Sequence, residues 1–581
     1  MPSAALPRVV LYDPARGMWQ NFGAPYRILS SQRLEDVLPL LCEIEIAVNQ
    51  EGAYAAGFLA YEAAPAFDAS LPSKDAGDFP LLWFGLFRDV TELAELPPGR
   101  EAPGAPDWQP SISPAAYCRC LDAIRSYIRE GATYQVNFTY RLRTQLRTAP
   151  WDLFLHMAGQ ADTPYAAFVD TGTWAICSAS PELFLRLDGE QIESRPMKGT
   201  AARGLWPEAD QAQAAALQVS TKDRAENVMI VDMVRNDLGR IAEAGSEQVS
   251  SLFAVEQHPT VWQMTSTVRA RTSASLTQIL QATFPPASIT GAPKRRAMEI
   301  IAELETTPRR VYTGAIGFLA PGRRAQFNVA IRTILLNCAT REAEYGVGGG
   351  IVWDSQPAAE QQECLTKARA LRPLRLDFDL LETMLWKPPD GYWLLDLHLR
   401  RVVQSAAYFG FRADPSRILA ELAGFAASLP PDCHRVRLLV SRLGACRCEG
   451  TPVSPEALRF GDLPFAKTPV NADDVFLYHK TTRRQVYEHA IQACPGSTDV
   501  LLFNEKGEVT ESTLANVAFE IDGVLSTPPL SCGLLPGTHR AALLASGHIR
   551  ERIVTREQAL GATAVYLLNA VRGIHPVRLR F

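Results

Sequence analysis

The sequence predicts an α+β protein of at least two domains, and three observations lead to this prediction. At 581 residues, the chain is too long for one hydrophobic core. Residues 183–187 alternate between apolar and polar, and a turn signal at Asp188-Gly189 follows, which predicts a β-hairpin with residues 191–195. Residues 220–241 instead carry apolar side chains three to four positions apart, which predicts a long helix.

The hairpin brings a carboxylate and an amine to one place. With Asp188-Gly189 as its turn, we expect Glu182 to lie opposite Arg195, and Lys198 to lie near Glu182 just beyond the paired strands. Pro196 is expected to end regular pairing. Considered by itself, the hairpin could equally carry an ordinary surface ion pair.

Composition indicates an ordinary globular protein, with 47% hydrophobic and 21% charged residues. The net charge of -5 gives no electrostatic reason to expect nucleic acid or an anionic membrane as a partner. We find no apolar run of about 18 residues, and the first residues lack an apolar core, so we expect neither a membrane span nor a signal peptide. The 11 cysteines lack zinc-like spacing, which predicts free thiols in a reducing cytoplasm.

Helix signals place three carboxylates. Ser113 and Pro114 predict the start of a helix that ends near Gly131. Glu226 lies near the start of the long helix at 220–241. A further helix after Pro357 places Glu360 and Glu363 on one face. Taken singly, these glutamates are typical of solvated helix surfaces.

Several motifs occur together in the first half, in a fixed order: YQVN, SPELF, RPMKGT, AENVMIVDMVRNDLGR, TGAPK, AIRT and GVGGGI. This set resembles the chorismate-utilising enzymes, and component I of aminodeoxychorismate synthase among them. The resemblance covers about residues 1–370. It implies a domain over residues 1–372, made of large antiparallel sheets with surrounding helices. Residues 1–110 would form a reduced N-terminal part and residues 111–372 the catalytic core.

The resemblance also implies a site. Lys198, Glu182 and His258 would be catalytic, and Mg²⁺ would bind the carboxylates of Glu226, Glu360 and Glu363. Relatives that add water to chorismate have a lysine base where this chain has Gln135, which argues against a hydroxylating enzyme. The implied contacts to the chorismate dianion are Gln135, Thr290, Gly291, Ala292, Tyr312, Arg332, Gly348, Gly349 and Lys367.

Residues 373–581 begin a new pattern that resembles the fold-type IV pyridoxal-phosphate enzymes, with 4-amino-4-deoxychorismate lyase among them. The motifs that carry this resemblance are HLRRVVQSA, YHKTTRR, EVTESTLANVAF and LLPGTHR. They imply a two-subdomain α/β domain that binds pyridoxal 5'-phosphate and forms a homodimer. In the implied site Lys480 binds the cofactor covalently, Glu511 faces its ring nitrogen, and the phosphate contacts Arg401, Gly537 and Thr538.

Together the two resemblances imply a bifunctional enzyme that makes para-aminobenzoate from chorismate. No cysteine lies in a G-x-C-x-G elbow, so we expect ammonia to come from a separate glutamine amidotransferase subunit. Two alternatives stay open: an anthranilate synthase joined to a fold-type IV aminotransferase, and an active synthase with a non-catalytic C-terminal interaction domain. Anthranilate synthases have alanine at the position of Lys198, which speaks against the first alternative.

Overall fold

The computed structural model describes residues 8–99, 106–158, 163–258, 260–368, 371, 378–453 and 462–580. The described chain forms two compact units. The first contains residues 8–202 and 214–371, and the second contains Arg203–Gln213 together with residues 378–580. The predicted boundary between residues 372 and 373 lies outside the described residues.

The first unit is built on strands, with helices packed around them. Its strands in chain order are β1 (Arg8–Asp13), β2 (Met18–Gly23), β3 (Arg27–Ser31), β4 (Tyr54–Leu59), β5 (Leu82–Phe87), β6 (Thr91–Leu93), β7 (Gln109–Pro110), β8 (Gln135–Gln145), β9 (Tyr165–Asp170), β10 (Trp174–Ser180), β11 (Leu183–Asp188), β12 (Gln191–Arg195), β13 (Met197–Ala202), β14 (Gln248–Gln257), β15 (Val261–Arg271), β16 (Gly291–Ala292), β17 (Ala315–Ala320), β18 (Arg324–Val329), β19 (Thr333–Asn337) and β20 (Glu342–Ile351). The helices are α1 (Leu34–Glu51), α2 (Ala64–Phe67), α3 (Pro114–Arg129), α4 (Pro150–Ala158), α5 (Pro207–Val219), which begins in the second unit, α6 (Thr221–Gly239), α7 (Leu276–Thr283), α8 (Lys294–Leu304) and α9 (Pro357–Ala368).

These strands form two ten-stranded sheets in which every pairing is antiparallel. One has the order β16-β8-β20-β19-β10-β9-β1-β2-β6, with β7 beside β8. The other has the order β13-β15-β12-β11-β18-β17-β4-β5-β3, with β14 beside β15. One hydrophobic core includes Phe58, Phe84 and Phe327, and a second includes Phe138 and Phe154. The predicted combination of large antiparallel sheets and surrounding helices is confirmed.

The β11–β12 hairpin forms, but its predicted register was wrong. Asp188 pairs with Gln191, so the turn residues are Gly189 and Glu190, one position later than expected. The register shifts again between Leu183 and Arg186, so Arg195 lies opposite Leu183. Lys198 also does not lie beyond the paired strands, because β13 pairs with β15.

The predicted helices are present. Ser113 caps α3, with its side chain accepting a hydrogen bond from the Ala116 N–H, and Ser220 caps α6 in the same way. Val228 is one of the apolar residues whose spacing predicts α6, but it does not belong to the buried face, because it is 39% exposed. The buried face of α6 instead includes the polar residues Asn227 and Asp237.

The second unit contains shorter sheets. Its strands are β21 (Leu380–Lys387), β22 (Gly391–Tyr392), β23 (His434–Val440), β24 (Cys446–Pro452), β25 (Leu463–Pro464), β26 (Leu501–Phe503), β27 (Val509–Ser512), β28 (Asn516–Ile521), β29 (Val524–Thr527), β30 (Arg550–Glu551), β31 (Ala564–Asn569), β32 (Gly573–Val577) and β33 (Leu579–Arg580). Its helices are α10 (Leu395–Phe409), α11 (Pro415–Ala427), α12 (Gln485–Gln492), α13 (Thr538–Ala545) and α14 (Arg556–Leu560). The main sheets have the orders β22-β21-β23-β24 and β30-β29-β28-β31-β32.

The segment Arg203–Gln213 belongs to the second unit, although the sequence suggested no boundary there. Arg203 forms a buried ion pair with Asp210 at 2.7 Å, and its guanidinium lies 4.3 Å from the centre of the Tyr408 ring. Trp206 stacks on Tyr478, with ring centres 5.3 Å apart. The second unit is therefore built from two separate stretches of chain.

Two further properties concern the whole described chain. None of its helices is both long and apolar enough to cross a membrane. All 11 cysteines are free thiols.

Candidate functional site

A cavity of about 350 Å³ lies in the first unit. Its walls come from β13, from the first turns of α6, from β20 and from α9. The predicted site residues that line it are Glu182, Lys198, Glu226, Tyr312, Arg332, Gly348, Glu360, Glu363 and Lys367. The structure therefore gathers side chains from distant parts of the sequence around one space large enough for a small molecule.

Lys198 and Glu182 meet in this cavity, and burial changes the ionisation of both. Burial lowers the pKa of Lys198, while the nearby carboxylates of Glu226 and Glu182 oppose this change. Burial raises the pKa of Glu182 to about 7, and a hydrogen bond from Ser288 and the charge of Lys198 oppose it. Burial thus favours the neutral form of each group, an amine for Lys198 and a carboxylic acid for Glu182.

Gln135 lies beside this pair. Its side chain is buried, and its amide nitrogen and oxygen find no hydrogen-bond partner among the described residues. A Cβ atom added at Gly350 would lie 2.3 Å from the Gln135 Nε2 and 2.9 Å from the Lys198 Nζ, so the ends of these two side chains lie close to the same point beside Gly350. A buried amide without a partner is typical of a position that binds a ligand or a water molecule.

Arg332 does not lie in a strand, although residues 327–336 around it, FNVAIRTILL, have the alternating pattern of a strand. Strand β18 ends at Val329 and β19 begins at Thr333, and Arg332 between them has a φ of 50°, in the left-handed region. Such strain in a non-glycine residue is typical of functional sites. Burial lowers the pKa of Arg332, and no carboxylate of the described residues pairs with it. A buried guanidinium without a counter-ion is suited to bind an anion.

The three carboxylates predicted to bind metal line the same cavity. Glu360 accepts a hydrogen bond from Ser355 at 2.7 Å, and Glu363 pairs with Lys367 at 2.7 Å. Both approach the position that a Cβ atom of Gly349 would occupy. Among the described residues, no three His, Cys, Asp or Glu side chains are close enough together to hold a metal ion.

The charges around these carboxylates still fit a divalent cation. Burial raises the pKa of Glu226 and of Glu360, and each is also raised by a neighbouring carboxylate. Although burial acts in the opposite direction, the ion pair with Lys367 lowers the pKa of Glu363 overall. Carboxylates that raise each other's pKa are stabilised by a cation, and Mg²⁺ commonly uses one or two carboxylates, with water and substrate oxygens as its other ligands.

Some predicted residues do not line the cavity. Gly291 and Ala292 form β16, which pairs with Val136 and Gln135, and the Thr290 hydroxyl donates to the Ala287 carbonyl at 3.1 Å. The helix after them begins at Lys294, so Pro293 is its cap and not its first residue.

His258 is buried after the end of β14, where its N–H donates to the Val261 carbonyl. Like Thr290, Gly291 and Ala292, it does not line the cavity. Gln135 and Gly349 also do not line the cavity. Roles in substrate binding or catalysis stay predictions for all of the site residues.

The sequence reasoning missed several residues that line the cavity. Lys222 and Asp223 lie on α6, four and three residues before Glu226, and this helical spacing could have identified them. Ser288, which donates a hydrogen bond to Glu182, lies in a short turn after α7 and gave no comparable signal.

The second unit has a cavity of about 390 Å³, and all five predicted residues of its cofactor site line it: Arg401, Lys480, Glu511, Gly537 and Thr538. Burial lowers the pKa of Lys480 to about 7, and the neighbouring positive charges of Arg401 and Arg484 add to this effect. Burial raises the pKa of Glu511 to about 7. Tyr487 and Asn516 donate hydrogen bonds to Glu511 at 2.8 and 3.0 Å and fix its position.

Glu382, which the sequence reasoning missed, binds two residues that line this cavity, His398 and Arg401. It accepts hydrogen bonds from Arg401 at 2.5 and 2.8 Å and lies 2.6 Å from the Nδ1 atom of His398. These contacts, with burial opposing them, lower the pKa of Glu382 to about 2. Thr538 opens α13, and the Thr538 hydroxyl lies 3.3 Å from the Nε2 atom of His398. A buried lysine, a facing carboxylate and a helix N-terminus beside an arginine fit pyridoxal phosphate.

Comparison with known proteins assigns a family to each of the two parts of the chain that contain these cavities. The family model for chorismate binding enzymes matches residues 10–373. The chain belongs to the chorismate-binding enzyme family. The model for class IV amino-transferases matches residues 379–579 of this chorismate-binding enzyme. Both fold families expected from the sequence motifs are therefore confirmed.

Curated relatives of this chorismate-binding enzyme include aminodeoxychorismate synthase component 1 of Escherichia coli, 41% identical over 46% of this chain and 58% of that protein. An anthranilate synthase component 1 of Haloarcula marismortui is 42% identical over 43% of this chain and 51% of that protein. The chain thus spans little more than half the length of these two relatives. Sequence identity to the aminodeoxychorismate synthase and to the anthranilate synthase is almost the same, so identity does not distinguish between these two activities. The distinction depends on individual site residues.

Among solved structures, anthranilate synthase component I from Streptococcus pneumoniae matches with a TM-score of 0.55 and 26% identity. The match covers 64% of this chorismate-binding enzyme and 93% of that chain. It therefore supports the fold of the first unit over almost the full length of the solved protein.

Proposed function

We propose that this enzyme makes 4-aminobenzoate from chorismate in two steps. The first unit replaces the 4-hydroxyl of chorismate with an amino group, and the second unit removes pyruvate from the product. The observation that carries the proposal is the placement of Lys198 and Glu182 in one cavity, with the pKa of the amine lowered and that of the acid raised. The alanine found at this position in anthranilate synthases could not supply such an amine.

In the proposed reaction, the neutral amine of Lys198 attacks C2 of the ring as the bond between C4 and its hydroxyl breaks. The carboxyl group of Glu182 protonates the departing hydroxyl, which leaves as water. Ammonia then adds at C4, the bond between Lys198 and C2 breaks, and the ring diene is restored. Glu182, now a carboxylate, takes the proton released by the added nitrogen. Chorismate and ammonia are thus converted into aminodeoxychorismate and water.

The remaining residues of the cavity bind the charged groups of chorismate. Arg332 provides a guanidinium for one carboxylate, and Lys367 provides a second cation beside Gly348. One or two of the carboxylates of Glu226, Glu360 and Glu363 would bind Mg²⁺, with water and substrate oxygens as its other ligands, and the ion would supply positive charge for the ring carboxylate when it is bound. Gln135 cannot act as a base, which is consistent with a nucleophile that arrives as neutral ammonia and needs no activation.

In the second unit, Lys480 and Glu511 carry the chemistry. Pyridoxal phosphate, when bound, supplies an electron sink next to the substrate amine. Glu511 would face its ring nitrogen, and Arg401, Gly537 and Thr538 would hold its phosphate. With its pKa lowered to about 7, Lys480 is able to take the proton from C4. The bond from C3 to the enolpyruvyl oxygen then breaks, which leaves an aromatic ring and releases pyruvate.

One experiment tests both steps. Purified protein is incubated with chorismate, ammonium chloride, Mg²⁺ and pyridoxal phosphate, and the products are separated by chromatography. We expect 4-aminobenzoate and pyruvate in equal amounts. Anthranilate as the product would show an anthranilate synthase, and aminodeoxychorismate without pyruvate would show a second unit that has no lyase activity.

The source of nitrogen gives a separate prediction. The chain has no G-x-C-x-G elbow. The name of the Escherichia coli relative, component 1, is consistent with a second component on a separate chain. We expect ammonium salts to support product formation by the chain alone, and glutamine to support it only when a glutamine amidotransferase subunit is added. Efficient use of glutamine by the purified chain would contradict this prediction.

The ionisation of Glu182 predicts the effect of pH on the first step. Because the folded pKa is about 7 and the acid form is needed, kcat/KM for chorismate should fall as the pH rises above 7. Glu182→Gln should lower kcat by about 10²- to 10⁴-fold, the usual contribution of general acid catalysis. The fall at high pH should then disappear, whereas a purely structural Glu182 would leave the pH profile unchanged.

A further inference from the structure

A buried arginine outside the cavity of the first unit contacts three parts of the cavity wall. Arg309 lies between α8 and β17 and does not itself line the cavity. Its guanidinium donates two hydrogen bonds to Glu305, at 2.6 and 3.1 Å, and this carboxylate also lies 3.5 Å from Arg141. The backbone N–H of Arg309 donates to Glu62 at 2.6 Å, and burial raises the pKa of Glu62 to about 7. Arg309 therefore has a fixed place in a buried network of charged groups.

The other donors of the Arg309 guanidinium bind two backbone carbonyls and a hydroxyl group. Nη1 donates to the Ile289 carbonyl at 2.9 Å and to the Thr313 hydroxyl at 3.4 Å, and Nη2 donates to the Asn137 carbonyl at 2.7 Å. With the two hydrogen bonds to Glu305, these contacts use every N–H donor of the guanidinium. Because a guanidinium is planar and rigid, it holds its acceptors at fixed relative positions.

These three acceptors belong to segments that form the cavity wall. Asn137 on β8 and Ile289 in the short turn after α7 both line the cavity. Thr313 directly follows Tyr312, which also lines it. One planar group thus connects three wall segments that are far apart in the sequence, and any effect of Arg309 on the reaction must act through them.

The turn after α7 also reaches the proposed proton donor. Ser288 precedes Ile289 in this turn and donates a hydrogen bond to Glu182. Glu182 in addition faces the positive charges of Lys198 on β13 and Lys367 on α9. The hydrogen bond from Ser288 and these two charges lower the pKa of Glu182, whereas burial raises it. The position of the turn therefore influences both the orientation and the ionisation of the carboxyl group.

We propose that Arg309 is a positioning residue for the first step: it fixes the turn that carries Ser288, and through this turn it holds Glu182 in place to protonate the departing hydroxyl. The inference rests on the proposed function, since it concerns the proton donor of the same reaction. A lysine at this position would keep a positive charge beside Glu305. It would offer one nitrogen with three donors instead of a planar fork with five, so it could not hold all of these acceptors together.

The test uses the full-length protein with chorismate, ammonium chloride and Mg²⁺, and measures the initial rate of chorismate consumption over a range of pH around neutrality. The variants are Arg309→Lys, Ser288→Ala and the double variant. Arg310→Gln is the matched control, because Arg310 is the next residue, pairs with Glu344 at 3.2 Å and does not line the cavity. Thermal unfolding of each protein shows whether it is folded.

We expect Arg309→Lys to lower kcat by about 10- to 10²-fold, the usual effect of a misplaced catalytic group. The KM for chorismate should change by less than about threefold, because the proposed charged contacts to the substrate stay in place. The loss of kcat/KM at high pH should move to higher pH, because the hydrogen bond that lowers the pKa of Glu182 is weakened. Ser288→Ala should shift the profile in the same direction.

The double variant separates positioning from a general loss of structure. If Arg309 acts through Ser288, Arg309→Lys should add no further shift of the pH profile to that of Ser288→Ala. Three results would overturn the proposal while the proposed function stands: an Arg309→Lys profile like that of Arg310→Gln, fully additive shifts, and an Arg309→Lys protein that does not fold, which would assign Arg309 to stability alone. A parent protein that does not consume chorismate with ammonia would overturn the proposed function, and the positioning role with it.

Discussion

Lys198→Ala should abolish most 4-aminobenzoate synthesis and redirect amination to C2 of chorismate. With the amine in place, C2 is blocked during the reaction and incoming ammonia reaches C4. Without it, C2 would be open, while the proposed chorismate contacts, including Arg332 and the carboxylates proposed to hold Mg²⁺, would stay in place. We expect a loss of at least about 10³-fold in 4-aminobenzoate formation, comparable to the loss of a covalent nucleophile. At high ammonia concentration, a product aminated at C2 should appear, identified by chromatography and mass spectrometry.

Two comparisons distinguish a covalent role from a structural one. Lys198→Arg keeps the positive charge but has no nucleophilic amine, so it should lose 4-aminobenzoate synthesis as the alanine variant does. A merely electrostatic role would leave Lys198→Arg largely active. A Lys198→Ala protein that still makes 4-aminobenzoate at the parental rate would contradict the proposed mechanism.

Lys480→Ala should remove the cofactor absorbance band and cause aminodeoxychorismate to accumulate, while chorismate consumption continues. The two units have separate cavities and separate hydrophobic cores, so a change in one cavity should leave chemistry in the other intact. The expected loss of 4-aminobenzoate is at least about 10³-fold, since both cofactor attachment and proton transfer depend on this amine.

The matched control is Lys467→Ala, because Lys467 is exposed and does not line the cavity. It should keep the band and the parental product ratio. If Lys480→Ala instead stopped chorismate consumption, the assignment of two independent sites would be wrong. Borohydride treatment of the parent provides a second measurement, because it should fix the cofactor to Lys480 in a form that mass spectrometry can locate.

Much of this site could be predicted from sequence because the motifs identify residues that meet only after folding. The meeting of Lys198 and Glu182 was predicted correctly, although the hairpin register was wrong. Register depends on which residues occupy the turn and on the irregularity between Leu183 and Arg186, and neither has a clear sequence signal. The register error does not change the placement of the pair, since both side chains line the cavity.

Other features could not be predicted because tertiary contacts impose them. Arg332 belongs to an alternating pattern that indicates a strand, yet the chain kinks there with a positive φ and the guanidinium reaches the cavity. Glu382 resembles any other strand residue in the sequence. Its importance follows only from its burial against His398 and Arg401. Sequence periodicity reports local geometry, whereas these roles depend on neighbours that are distant in the chain.

The segment Arg203–Gln213 has a consequence for how the second unit can be moved between genes. The second unit is encoded by two stretches of the gene, and the shorter one interrupts the coding region of the first unit. A recombination event that moved only the 3' part of the gene would leave behind Trp206, the ring that covers Tyr478 two residues before Lys480. Expression of residues 378–581 alone is therefore expected to give a less stable domain than the same residues in the full chain.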